Sequence, residues 1–139
     1  MNDSSVSVAK IAQILDLKNF TDNIELKKIK ITSSDVNRPA LQLTGYFEHF
    51  EQSRIQMIGN VEYAYIQQMN DEEKRIRYSA FLQFEIPCVI FCRDLQPDAI
   101  FIEQAEKNHV PILGTSRPTS EFMAELIYTL AEKLAPCIT

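Results

Sequence analysis

Glycine is scarce in this chain, with only Gly45, Gly59 and Gly114 among 139 residues. That excludes a G-x-G-x-x-G dinucleotide fingerprint and a G-x-x-x-x-G-K-S/T loop, both of which need glycines at fixed spacing so that backbone N–H groups can wrap a phosphate. Histidine is scarcer still. His49 and His109, taken with the three cysteines, show no metal-ligand spacing, and no serine stands in a G-x-S-x-G elbow. Basic residues number 14 against 19 acidic ones, for a net charge of -5 and an isoelectric point near 5.0. A nucleic-acid partner needs a basic face to release counterions from phosphates, so none is expected. No apolar run approaches the roughly 20 residues needed to span a bilayer. The polar start Met1-Asn2-Asp3-Ser4-Ser5 lacks the basic and apolar regions of a signal peptide. Cytoplasm is the expected compartment, with no membrane partner. An odd number of cysteines disfavours a disulfide framework. Cys88 and Cys92, four apart on a predicted strand, would hold their Cα atoms about 13 Å apart, beyond the roughly 4.4 to 6.8 Å of a disulfide. They read as core thiols, and Cys137 as a free thiol near the end of the sequence.

What is present is enough for one domain over residues 1–139, a length that buries about two-thirds of its unfolded surface. Val8, Ile11, Ala12 and Leu15 recur at helical spacing within Val6 to Leu17, behind Ser7 as N-cap. Asn19, Thr21, Asp22 and Asn23 mark a turn, after which Ile29, Ile31 and Val36 form a first strand. Pro39 suits a first helical position, so Ala40 to Gly45 reads as a short helix closed by Gly45. Tyr46, Phe47 and Phe50 read as core packing, and His49 as a surface residue. Ile55 to Gly59 is a second strand, and Asn60 caps a helix carrying Val61, Ala64, Tyr65 and Met69. Asn70-Asp71-Glu72-Glu73 begins another helix, acids at its positive end, with Ile76, Ala80, Phe81 and Phe84 on one face. Cys88 to Cys92, bounded by Pro87 and Arg93, is an unbroken apolar run of the kind buried on both sides of a parallel sheet. Pro97-Asp98 opens a helix through Lys107, closed by Asn108-His109 with the asparagine left-handed. Pro111 to Gly114 is a fourth strand. The last helix, Thr119 to Leu134, turns Phe122, Met123, Leu126, Ile127, Leu130 and Leu134 inward.

Strands alternating with helices predict an α/β fold: a mostly parallel sheet of about four to five strands, helices on both faces, with right-handed crossovers. Ligands in such sheets bind beyond the carboxyl ends of the strands, where helix N-termini present free N–H groups. Three strands run into an arginine there: Arg38, Arg93 and Arg117. Ser33, Ser34, Thr115, Ser116, Thr119 and Ser120 add hydroxyls in the same loops. Arginine offers a planar fork of donors suited to phosphate or carboxylate. Arg38, Arg93, Thr115, Ser116 and Arg117 are therefore candidate ligands for an anionic small molecule or an acidic partner. The competing reading is structural, with the arginines paired to the abundant carboxylates and the hydroxyls capping helices. No catalytic or metal-binding residue is assigned.

Several spaced blocks carry a resemblance. Asn37-Arg38-Pro39, Leu41-Gln42-Leu43, Gly45-Tyr46-Phe47, Arg54-Ile55-Gln56 and Gly59 look like the signature of the N-terminal domain of bacterial HPr kinase/phosphorylase. The likeness continues through Pro87-Cys88-Val89-Ile90, Val110-Pro111-Ile112-Leu113 and Glu132-Lys133-Leu134-Ala135-Pro136; Ala40 departs from it, standing where the family often has glycine. The resemblance implies a fold similar to the N-terminal domain of the Mur ligases and a non-catalytic regulatory or structural role. It also implies a longer parent whose C-terminal kinase domain, absent from this chain, phosphorylates and dephosphorylates a serine of the phosphocarrier HPr. For that parent it implies ATP or pyrophosphate with magnesium, a hexamer, and signalling in the phosphotransferase system and carbon catabolite repression. For this chain alone it implies no cofactor and no enzymatic activity, with the kinase domain, HPr and further copies of the chain as partners. The alternatives are a free-standing module for an anionic small molecule such as a nucleotide sugar, and a domain devoted to oligomer assembly.

Overall fold

The computed structural model describes residues 4–135. The chain opens with a two-residue strand β1, Val6–Ser7, and the helix α1, Val8–Ile14. Ser7 caps that helix by accepting the Lys10 N–H at 3.0 Å. The expected helix from Val6 is thus shorter at both ends, because Val6 and Ser7 are drawn into pairing with β3, Lys30–Ile31. Between them lie β2, Lys18–Asn19, and a 3-10 turn, Leu26–Lys28.

The predicted first strand divides. Ile31 belongs to the small β1–β3 sheet, whereas Val36 starts β4, Val36–Asn37, at the edge of the main sheet. The helix α2, Ala40–Leu43, follows. Gly45 takes φ +98 just beyond it, the left-handed conformation that a side chain strains, with the tip of Arg77 packed against it. After β5, Ile55–Ile58, come α3, Asn60–Gln67, and α4, Asp71–Leu82. Then follow β6, Val89–Phe91, α5, Ala99–Lys107, β7, Ile112–Gly114, and α6, Thr119–Leu134.

The main sheet has five strands in the order β2-β7-β6-β5-β4. β4 to β7 are parallel, and β2 runs antiparallel along β7. This is the mostly parallel α/β sheet that the alternation of elements predicts. β6 is central and wholly buried, as its unbroken apolar run requires. Its period-two alternation feeds two cores. Val89 and Phe91 pack with Ile66, Tyr78, Phe81 and Phe101 under α3, α4 and α5. Cys88, Ile90 and Cys92 pack with Ile11, Met57, Phe122 and Leu126 under α1 and α6. Phe47 and Phe50 join the first core against Phe84 and Phe81, while Tyr46 is half exposed.

Two assignments to a packed face, Ile76 and Ile127, turn out differently. Ile76 is exposed, and Tyr78 and Leu82 take the buried stripe of α4 with Phe81. On α3 the apolar Val61 and Tyr65 face out, while Glu62 and Ile66 are buried. Ile127 on α6 is partly exposed, and Thr119 and Thr129 are buried in its place. At the end of α5 it is His109, not Asn108, that takes the left-handed conformation, with φ 59. Cys88 and Cys92 are free and buried; Cys137 lies outside the described residues.

Candidate functional site

Because β4 to β7 are parallel, Arg38, Arg93 and Arg117 leave the sheet at the same edge, as their placement after β4, β6 and β7 dictates. β4 is fixed there by a partly buried amide contact, the Asn37 Nδ2 donating to Gln56 Oε1 at 2.6 Å and to Gln42 Oε1 at 3.2 Å. The next residue, Arg38, is thereby aimed at the start of α3. Its Nη2 and Nε donate to the two carboxylate oxygens of Glu62 at 2.7 and 3.1 Å. Glu62 is only 3 % exposed and also accepts the Gly59 N–H at 2.8 Å. Gly59, not Asn60, is therefore the N-cap, and Glu62 reaches back to it as the third helical residue of a capping box does. The signal was in the sequence as an acid three places after Gly59.

Gly59 also sets a close approach. A Cβ there would stand 2.6 Å from Arg38 Nη2 and 2.8 Å from Thr119 Oγ1, so only glycine lets the arginine fork and the first residue of α6 meet over this backbone. The Thr119 hydroxyl is buried and has no hydrogen-bond partner. Cys92 sits beneath the same group. Burial pushes its thiol up to about 11, while the Thr119 hydroxyl and the Arg38 and Arg93 charges pull it back down. Cys88, at the far end of the strand, is pushed up to about 12 by burial alone.

Arg93 and Asp94 both take positive φ, 59 and 58. Left-handed backbone at two successive residues that are not glycine is unfavourable unless the surroundings hold it. Here two backbone bonds do so: Arg93 N–H to Arg117 O and Asp94 N–H to Thr115 O, each 3.0 Å. The loops after β6 and β7 are thus tied together, and Arg93 is left exposed on top.

The five sequence-selected residues separate into two groups along this edge. Arg38 stands beside Gly59 and Thr119, and Arg93 directly follows Cys92 in the loop after β6. Thr115 and Ser116 line a smaller hollow of about 160 Å³ with Lys18, Phe20 and Asp94. Arg117, in the loop before α6, pairs with Glu125 of that helix, and its N–H donates to the Thr115 hydroxyl at 3.3 Å. Pairing with carboxylates, the structural alternative, accordingly describes Arg38 and Arg117. The residues not singled out from sequence are Gly59, Glu62 and Cys92.

A larger concavity of about 520 Å³ lies at the opposite, amino edge of the sheet, between Lys28, Lys30, Glu85, Pro87 and His109. Its charged groups are exposed side chains, and among the described residues the buried polar atom without a partner, Thr119 Oγ1, does not belong to its lining. Size alone does not favour it over the carboxyl edge, where polar groups converge. Among the described residues no three of His, Cys, Asp or Glu gather as a metal site, and no helix is long and apolar enough to cross a membrane.

Comparison with known proteins adds an independent observation. Residues 6–130 match the family model described as HPr Serine kinase N terminus. An HPr kinase/phosphorylase of Lachnoclostridium phytofermentans is 43% identical over 135 residues, which is 97% of this chain and 44% of that protein. One from Caldanaerobacter subterraneus is 42% identical over 134 residues, 96% of this chain and 44% of its own length. The chain thus spans less than half the length of the curated relatives it matches. Among solved structures, the CBS and DRTGG domains of the regulatory region of Clostridium perfringens pyrophosphatase, complexed with diadenosine tetraphosphate, align with a TM-score of 0.59. Identity there is 18%, over 89% of this chain and 46% of that one, a likeness of fold alone.

Proposed function

The chain belongs to the HPr serine kinase N-terminus family, and on that premise we propose that it is the non-catalytic, regulatory and structural N-terminal part of an HPr kinase/phosphorylase. In this reading the whole protein phosphorylates a serine of HPr with ATP or pyrophosphate and magnesium, and removes the phosphate again, in the cytoplasm as part of carbon catabolite repression. Its transfer chemistry belongs to the portion of the longer relatives that this chain does not match. Its partners are that kinase portion, HPr and other copies of itself. The carboxyl edge of the sheet, with Arg38, Arg93, Thr115, Ser116 and Arg117, receives an anionic group.

The observation that carries the proposal is the coverage: 97% of this chain against 44% of the relative. The three glycines form no phosphate-wrapping loop, so the residues present do not fit the familiar glycine-rich ATP cradle. The test is a phosphotransfer assay with the purified chain, HPr, labelled ATP and magnesium. No label should reach HPr; incorporation above a no-protein control overturns the assignment of chemistry to the unmatched portion.

A further inference from the structure

We propose that the notch where α6 begins, between Thr119, Gly59 and Arg38, is a phosphate-binding site with the Arg93 loop as its second wall. The inference rests on the anion-edge reading above and narrows it to one place. Two observations meet there independently.

The first is the N-terminus of α6, a 16-residue helix whose cap position is Pro118 and carries no side-chain cap bond. Its first N–H groups have no intrahelical partner and stand at the positive end of the helix dipole. The second is the Thr119 hydroxyl, on a residue 6% exposed, which makes no hydrogen bond. A buried hydroxyl is normally paired. Its neighbours explain what is missing. The Arg38 Nη2 and the helix N–H groups are donors, and the Cys92 sulfur is a weak acceptor, so the absent partner is a strong acceptor oxygen. Glu62 is already committed to Arg38 and the Gly59 N–H, so it does not supply that oxygen.

An acceptor beside the Arg38 guanidinium, whose bonds to Glu62 use Nε and Nη2, and at a helix N-terminus is anionic, and phosphate matches both. Glu62 does not repel it strongly, since its charge is neutralised by the bidentate contact with Arg38. Beside the hydroxyl lies the Arg38 guanidinium, on a side chain 35% exposed that stays paired with Glu62.

Thr119→Val separates this role from a structural one, because it keeps the shape and removes only the hydroxyl, whose one other role, lowering the Cys92 thiol, is read separately by alkylation. The experiment titrates inorganic phosphate, and in a parallel arm glycerol 3-phosphate, into the isotope-labelled chain at constant ionic strength, following amide shifts. Saturable shifts at Gly59, Thr119, Ser120 and Glu121 are expected in the parent, with Thr119→Val binding about ten- to hundredfold more weakly and unfolding no earlier. Tighter binding of the ester identifies an organic phosphomonoester as the natural ligand, and equal binding identifies free phosphate. Shifts confined to Ser116 and Arg117 sink the notch while leaving the wider anion edge intact. No saturable shift anywhere sinks both. Unchanged binding by Thr119→Val, with altered Cys92 alkylation, overturns the proposal by showing that the hydroxyl serves the thiol instead.

Discussion

Cys88 and Cys92 flank the central strand and meet different surroundings. Both thiols are raised from the ordinary 9.0, Cys88 by burial alone, Cys92 by burial against the opposing pull of Thr119, Arg38 and Arg93. At neutral pH both are protonated and covered, so alkylation at pH 8 followed by peptide mapping should leave them unmodified in the native protein and modify both in guanidinium. The same shifts make stability depend on pH. A thiol whose folded value lies above its unfolded value holds its proton more tightly when folded, so its contribution is complete below pH 9 and is lost as pH rises toward 11 and 12. The urea midpoint should therefore fall across that window. A midpoint that stayed constant or rose from pH 9 to 11 would show that the sheet does not shield these thiols.

The junction of α4 with α5 shows how elements are locked together. Asp98 caps α5 by accepting the Phe101 N–H at 2.8 Å, accepts the buried Tyr78 hydroxyl at 2.8 Å, and faces Lys74 at 3.3 Å. Asn70 caps α4 alone, accepting the Glu73 N–H at 2.9 Å while Glu73 reaches back. Asn70→Ala should cost about 1 kcal/mol, the ordinary worth of a cap. Asp98→Ala should cost roughly 2 to 4 kcal/mol, because it also leaves the Tyr78 hydroxyl buried without a partner. Equal losses in urea melts of the two variants would mean that Tyr78 finds another partner. Elements like these were largely legible beforehand: the cap at Asn70, the whole span of α6 and the central place of β6 follow from local chemistry. Their orientation was less so. α3 offers Val61 and Tyr65 at helical spacing, yet it buries Glu62, because the Arg38 fork arrives from a strand 24 residues away in sequence and neutralises the carboxylate. Ile76 gave way to Tyr78 for a similar reason, a polar tip satisfied by Asp98. Periodicity ranks residues by apolarity and carries no information about which polar group will meet its partner. At the site the same limit holds. The sequence placed three arginines at one edge, but the convergence of Gly59 and Thr119 on Arg38 depends on the packing of α6 against β5.

Across the whole molecule, β5 and β6 divide their side chains between the two cores, so neither core can form without the sheet that the other also needs. Val89 and Phe91 serve one face, Ile90 and Cys92 the other, within four consecutive residues. Phe101 stacks edge-on against Phe91 with ring centroids 5.1 Å apart, whereas Phe122 lies in the opposite core under α6. Truncating either aromatic should cost about 3 to 5 kcal/mol, a large part of the stability of a chain this size. The informative readout is the agreement between probes. Far-UV dichroism reports all helices, while near-UV dichroism reports packed aromatics and is weighted toward Tyr78, the one tyrosine fully buried among the described residues, in the core of Phe101. If the sheet couples the faces, Phe122→Ala, on the far side from Tyr78, shifts both signals to the same lower midpoint, and Phe101→Ala does the same. A Phe122→Ala protein in which the helical signal melts early while the Tyr78 signal holds its parental midpoint would instead describe two cores that fail separately. In that case α1 and α6 could detach from a folded remainder, and the notch between α6 and β5 would open with them.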